Sequence, residues 1–100
     1  DANIDALQRV LKGEQGMTIL IPIREQGDLA AQVAAALVKG EKPDEALFDD
    51  EPFVSGDFQI PRVLVDVVTI TPDNVDQVIE DGGATKEEIC AGIDPGVGPC

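Results

Sequence analysis

The chain has 100 residues and a formal net charge of −13, from 20 acidic and 7 basic side chains. This length suits one small domain with a modest core, and a content of 43% hydrophobic but only 3% aromatic residues predicts a core of Val, Ile, Leu and Ala. The acidic excess argues against nucleic acids and anionic membrane surfaces as partners, because both are bound mainly through Lys and Arg.

The residue inventory also argues against catalysis and metal binding. The chain contains no His, and Ser55 is its only serine, so neither a Ser–His nor a Cys–His pair can form. A zinc site is disfavoured because the chain also lacks a Cys-x-x-Cys pair. We therefore expect no enzyme activity, no cofactor and no metal. The first residues, Asp-Ala-Asn-Ile-Asp, include no initiating Met, which indicates a processing, proteolysis or cloning boundary.

The first half of the chain alternates predicted helix and strand. Residues 3–12 carry apolar side chains at helical spacing between a capping Asn3 and a terminating Gly13. Residues 17–22 form a nearly continuous apolar run, which is typical of a strand covered on both faces. Residues 26–39 combine an apolar face with many alanines, and this pattern predicts a second helix.

The middle of the chain combines an acidic connection with a β-branched segment. Residues 41–57 contain two Pro, one Gly and seven acidic residues, so we expect an exposed connection with at most a short strand near Phe53 and Val54. Residues 60–70 are rich in Val and predict one strand or two short ones of a hinge type. The helix and strand order predicts an α/β fold with a parallel sheet. Two main strands are too few for such a sheet, which indicates a missing partner, either more chain or another subunit.

The last third carries two helix starts and the only cysteines. Residues 72–82 are predicted to form a helix capped by Thr71, and residues 86–91 a short helix that begins with a capping box of Thr85 and Glu88.

Cys90 and Cys100 lie in a tail with several Gly and Pro residues. We predict that a disulfide closes this tail over residues 90–100 and stabilises the chain by roughly 2–3 kcal/mol. Such a bond fits an oxidising compartment.

Several blocks of sequence, in order, are similar to one known family. They are Asp1-Ala2 and residues 7–15, 17–19, 22–24, 34–40, 60–66 and 67–75. Together these blocks resemble the C-terminal lobe of xylose- and ribose-type periplasmic binding proteins, the solute-binding components of ATP-binding cassette (ABC) importers. The resemblance implies part of a doubly wound, Rossmann-like lobe of the type I fold, with a monosaccharide or related polyol bound between two lobes.

The same resemblance implies partners and a location. The sugar would be delivered to the membrane permease of an ABC importer. The protein would be periplasmic or extracellular, and membrane-associated through the transporter or through a lipid anchor outside this chain.

The resemblance carries over to individual positions. Asp1 matches an aspartate that accepts hydrogen bonds from sugar hydroxyls, a task suited to a carboxylate, and a frayed first residue is an equal alternative. Ile21 stands where the family usually has a Lys or Gln that reaches the sugar, and an aliphatic side chain cannot form that bond.

Expectations for two further residues follow from the sequence itself. Arg24 follows a strand and could donate to an oxygen-rich ligand, although an ion pair with Glu25 or Asp28 is the favoured expectation. Asp66 interrupts an apolar segment and is expected to be exposed or bonded to backbone rather than to bind ligand.

Two alternatives remain open at this stage. One is a sugar-sensing regulatory domain of the same fold, which fold-level physics cannot separate from an importer component. The disulfide and the lack of a basic segment favour the importer. The other is a structural fragment that self-associates through unpaired sheet edges.

Overall fold

Helix α1 begins at Ile4 because Asn3 caps it. Asn3 has extended backbone, and its side-chain oxygen accepts a hydrogen bond from the Ala6 N–H at 2.9 Å. The helix ends at Leu11, and Gly13 follows with a φ of 73°, the left-handed conformation that terminates helices. Four of its eight residues are buried on one face, so the predicted amphipathic helix is present.

The computed structural model describes all 100 residues of the chain. The helices are α1 (Ile4–Leu11), α2 (Ile23–Val38), α3 (Asp76–Glu80) and α4 (Lys86–Cys90), with a 3₁₀ turn at Glu45–Leu47. The strands are β1 (Thr18–Leu20), β2 (Phe53–Ser55), β3 (Phe58–Ile60) and β4 (Val68–Ile70). No helix is both long enough and apolar enough to span a membrane.

The chain folds into two compact units, whereas the sequence predicted a single lobe fragment. Unit 1 consists of Asp1–Pro22 and Val67–Cys100, and unit 2 of Ile23–Asp66. All residues of the buried core lie in unit 1. They are Leu7, Val10, Leu11, Leu20, Ile70, Val75, Val78 and Ile89.

The strands of unit 1 correct the expectation of parallel pairing. β1 pairs with β4 antiparallel, with Thr18 opposite Ile70 and Leu20 opposite Val68. Helix and strand order implies parallel pairing only when a helix crosses directly between neighbouring strands, and here the whole of unit 2 separates the two. Only one face of β1 is covered, because Thr18 and Leu20 are buried whereas Ile19 is half-buried.

Unit 2 contains an antiparallel hairpin whose first strand, β2, confirms the short strand expected near Phe53 and Val54, whereas its second strand, β3, was not predicted. β2 pairs with β3 through the turn Gly56-Asp57, where Gly56 has a φ of 59°. A Gly with positive φ at the first turn position is the signature of a two-residue hairpin turn. Of the strands expected over 60–70, only β4 lies within that range, because β3 ends at Ile60 and the backbone is irregular from Pro61, which has no N–H to donate, to Val67.

An ion pair closes the base of this hairpin. The Arg62 guanidinium lies 2.8 Å from an Asp49 carboxylate oxygen, and the Asp49 N–H donates to the Arg62 carbonyl at 2.9 Å. Backbone and side chains of the same two residues therefore join the two ends of the hairpin segment.

The start of α3 differs from the prediction for a local reason. Asn74 accepts from the Thr71 N–H at 2.7 Å and donates to the Thr69 carbonyl at 3.0 Å. These bonds hold the preceding residues in a turn, since an Asn side chain competes with helical backbone bonding. The helix consequently begins at Asp76 rather than at residue 72.

The predicted capping box of α4 is present. The Glu88 N–H donates to Thr85 Oγ1 at 3.3 Å, and the Thr85 N–H donates to the Glu88 carboxylate at 2.9 Å. The backbone N–H of Thr85, together with its hydroxyl, lowers the pKa of Glu88. At the other end of α4, the Gln8 side chain donates to the carbonyls of Glu88 and Ala91 at 3.0 and 3.2 Å. α4 is therefore fixed at both ends.

The predicted disulfide between Cys90 and Cys100 is present and joins the end of α4 to the end of the chain. Its Cα atoms lie 5.4 Å apart. The tail that it closes packs Ile93, Val97 and Cys100 against the core of unit 1. The bond therefore restrains a segment that also covers buried apolar surface.

Replacement of Asn3 by Ala should lower the free energy of unfolding by about 1 kcal/mol, because the Ala6 N–H loses its acceptor. Asn3→Asp keeps an acceptor at the helix start and serves as the matched control. Urea unfolding followed by circular dichroism measures both variants. Equal destabilisation of the two would contradict the capping role.

Replacement of Cys90 and Cys100 together by Ala should lower the free energy of unfolding by about 2–3 kcal/mol, the loop-entropy value for a closed segment of this length. The wild-type chain in dithiothreitol should match the double variant. An unfolding midpoint that neither change moves would show that the disulfide contributes nothing to stability.

Candidate functional site

Asp1 is held at the start of β1 by a buried hydroxyl. Thr18 Oγ1 donates to the carbonyl oxygen of Asp1 at 2.8 Å, and Thr18 is 5% exposed. Asp1 itself is exposed, so its backbone is anchored while its carboxylate remains accessible. Thr18 was not among the predicted site residues, because a Thr at the start of an apolar strand gives no sequence signal for this contact.

Ile21 directly follows the other end of β1. Its side chain is 40% exposed, and the residue lies outside the core of unit 1. Ile21 lies three positions after Thr18, which bonds Asp1, so at about 3.3 Å per residue Thr18 and Ile21 are about 10 Å apart along the chain. An exposed apolar side chain here can contact only apolar parts of a ligand.

Arg24 lies in the first turn of α2 and belongs to unit 2. The favoured expectation of an ion pair with Glu25 or Asp28 is wrong, since the chain has one ion pair, between Arg62 and Asp49. Exposed pairs on a helix gain little over hydration, so nothing compels such a pair to form. The Arg24 guanidinium is exposed and makes no hydrogen bond to the protein.

Asp66 is exposed and lies in irregular backbone just before β4. Its carboxylate is in contact with water and needs no protein partner. This exposure agrees with the expectation that Asp66 is exposed rather than bound to ligand.

A surface depression lies elsewhere in unit 1, between the start of α3 and the disulfide-closed tail. Its lining residues are Pro72, Asp73, Val75, Asp76, Gly98 and Pro99. None of the predicted site residues contributes to it. The structure contains no group of three or more His, Cys, Asp or Glu side chains arranged to hold a metal ion.

Comparison with known proteins bears directly on the sequence resemblance. No protein-family model matches the chain. It is 34% identical over 90 residues to the D-xylose-binding periplasmic protein of Haemophilus influenzae, a match that covers 89% of this chain and 26% of the relative. It is 25% identical over 88 residues to the multiple sugar-binding periplasmic receptor ChvE of Rhizobium radiobacter, which covers 88% of this chain and 24% of the relative.

A solved structure agrees with these relatives. The chain superposes with a TM-score of 0.77 and 27% identity on a carbohydrate transporter solute-binding protein from Chloroflexus aurantiacus, solved in complex with D-glucose. The match covers 88% of this chain and 25% of that one. The resemblance to periplasmic sugar-binding proteins is confirmed. The α/β class is confirmed with it, because the solved relative has the type I fold. The chain spans about a quarter of the length of the relatives that it matches.

Substitution of Thr18 by Val should destabilise unit 1 by about 1 kcal/mol, because the isosteric side chain removes the hydrogen bond to the Asp1 carbonyl. Thr18→Ser keeps the hydroxyl and is the matched control. Nuclear magnetic resonance order parameters of Ala2 should fall in the Val variant alone. Unchanged order at Ala2 would mean that this bond does not anchor the segment.

Proposed function

We propose that this chain forms part of the sugar-binding region of an extracytoplasmic solute-binding protein, the component of an ABC importer that captures a monosaccharide and presents it to a membrane permease. The observation that carries the proposal is the match to sugar-binding proteins over 88–89% of the chain, in both sequence and structure. The relatives are named as binding proteins, and the chain has no Ser–His or Cys–His pair because it lacks His. We infer that its role is binding without chemistry.

Asp1 is the candidate polar contact to the sugar. Its backbone is anchored by Thr18 at 2.8 Å, whereas its carboxylate makes no bond within the chain. A carboxylate on an anchored backbone, with its acceptor sites free, can bind two sugar hydroxyls in charge-assisted bonds. The anchoring lowers the entropy cost of this contact, because the backbone of Asp1 is already ordered before the ligand arrives.

Ile21 and Arg24 have different roles in this proposal. Ile21 would offer an apolar contact where the family usually places Lys or Gln, which weakens recognition of a hydroxyl at that position. Arg24 would donate to ligand oxygen atoms, since its guanidinium is unpaired. We therefore expect a sugar specificity that differs from that of relatives with a polar residue at the position of Ile21.

The proposed location follows from the relatives and from the disulfide. Both curated relatives are named as periplasmic, and the Cys90–Cys100 bond is stable in an oxidising compartment. Membrane association would come through the permease. The 100-residue chain contributes one part of the cleft, so we expect it to bind sugar only within a longer protein.

Substitution of Asp1 by Ala, in the longest form of the protein that its gene encodes, should weaken sugar binding about 10–100-fold, the usual effect of losing hydrogen bonds to a charged group. Asp5→Ala is the matched control, since Asp5 is also an exposed aspartate but lies within α1. Isothermal titration with D-xylose and D-glucose measures both variants. Binding that survives Asp1→Ala unchanged would remove Asp1 from the site, and a wild-type protein that binds none of a panel of pentoses, hexoses and polyols would overturn the proposed function.

A further inference from the structure

The hairpin of unit 2 presents an apolar face to solvent. Phe53 pairs with Ile60 and Ser55 with Phe58, and side chains of directly paired residues project from the same face of a sheet. Phe53, Phe58 and Ile60 therefore share one face, which we call the hairpin face. Their exposed fractions are 53%, 74% and 49%. Two of the three Phe residues of the chain lie on this surface.

Nothing within the chain covers the hairpin face. Every residue from Glu51 to Pro61 is exposed, and a lone two-stranded hairpin is only marginally stable in water. The Asp49–Arg62 pair holds the base of the hairpin together, so the face is ordered without being buried. Exposed apolar residues that are contiguous, rather than scattered singly, mark an interaction site.

The charges around the hairpin face identify the chemistry of its partner. Residues 43–61 contain six Asp or Glu and no Lys or Arg. The ion pair with Arg62 neutralises Asp49. Asp50, Glu51 and Asp57 flank the strands, are exposed and have no cationic partner. An occupant of this face therefore has to bring positive charge around an apolar centre.

The same charges argue against a second copy of the chain and against an anionic lipid surface. A second copy has a net charge of −13 and would place an identical acidic rim opposite the first, and like charges juxtaposed across an interface are unfavourable. Anionic lipid headgroups would be repelled in the same way.

We propose that the hairpin face docks on a protein surface that has an apolar centre ringed by Lys and Arg. Phe53 and Phe58 are the anchors, because aromatic side chains that become fully desolvated dominate binding energy at interfaces. The unpaired carboxylates of Asp50, Glu51 and Asp57 would accelerate encounter and select for the basic rim. This inference does not depend on sugar binding, and its test uses the 100-residue chain.

The probe is a fluorescent synthetic helical peptide with a Leu face bordered by Lys, titrated into the chain and followed by fluorescence anisotropy. Phe58→Ser should weaken binding at least tenfold, because it removes an anchor from the hairpin face. Val54→Ser is the matched control. Val54 is 61% exposed and lies on the opposite face of the same hairpin, so its substitution should change the affinity less than twofold.

A second variant tests the charges without altering the apolar face. The double substitution of Asp50→Asn and Glu51→Gln should weaken binding and reduce its dependence on salt, since fewer charge contacts remain to be screened. A chain that fails to bind the peptide, or that loses equal affinity in the Phe58 and Val54 variants, would overturn the proposal.

Two other occupants give distinct outcomes. Sedimentation velocity that shows a wild-type dimer abolished by Phe58→Ser would overturn the proposal in favour of a second copy. Peptide binding by the 100-residue chain but not by the longest form of the protein would also overturn the proposal, because the rest of that protein then covers the hairpin face. Binding by both forms, with a monomeric chain, supports a separate basic partner.

Discussion

Burial of one face of α1 is the interaction on which unit 1 depends. Leu7, Val10 and Leu11 belong to the same buried cluster as residues of β4, α3 and α4, far along the chain. Gln8, on the same helix, bonds two carbonyls at the end of α4. One helix of eight residues therefore contributes both the apolar and the polar contacts that join the start of the chain to its end. The disulfide strengthens this arrangement because it keeps the tail packed against the same core.

Unit 2 has no comparable core, although its sequence is no less apolar. No residue from Ile23 to Asp66 is buried, and the best-covered face of α2, around Leu29 and Val33, is only half-buried. Helices and two-stranded sheets hide one apolar face only when another layer packs on them. The solved relative is about four times as long as the matched chain. The exposed apolar face of α2 is what a segment of a larger layered protein would present.

Local signals in the sequence were enough to predict much of unit 1. The correct predictions were the cap of α1, the capping box of α4 and the disulfide. Each depends only on residues within about ten positions of one another, where the rules of capping and loop closure are strong. The residues are Asn3, the pair Thr85 and Glu88, and the pair Cys90 and Cys100. The resemblance supplied the fold class. In the candidate site, the exposure of Asp1 and Ile21 agrees with a binding role, but their proposed contacts require chain beyond these residues.

The incorrect predictions also have specific causes. The hairpin was not predicted because the acidic residues around Phe53 are typical of an exposed connection, although Gly56-Asp57 favours a tight turn between two short strands. The start of α3 was predicted too early, because Thr71 and Pro72 fit the pattern of a helix start whereas the Asn74 side chain bonds the Thr71 N–H and holds a turn there. The pairing of β1 with β4 was predicted to be parallel and is antiparallel, because the order of helices and strands does not determine the direction in which the chain re-enters the sheet. Arg24 failed as an ion-pair residue because spacing on an exposed helix does not compel contact.

The pairing of Leu20 with Val68 has a consequence for how the protein can change over evolution. The chain leaves unit 1 and re-enters it at positions that face each other across an antiparallel pair, which places them about 5 Å apart. Unit 2 is thus an insertion at a single point of the fold. Closure entropy rises by only about 0.6 kcal/mol for each doubling of such an insertion. The length of the segment between β1 and β4 can therefore change at little cost to the stability of the buried core of unit 1.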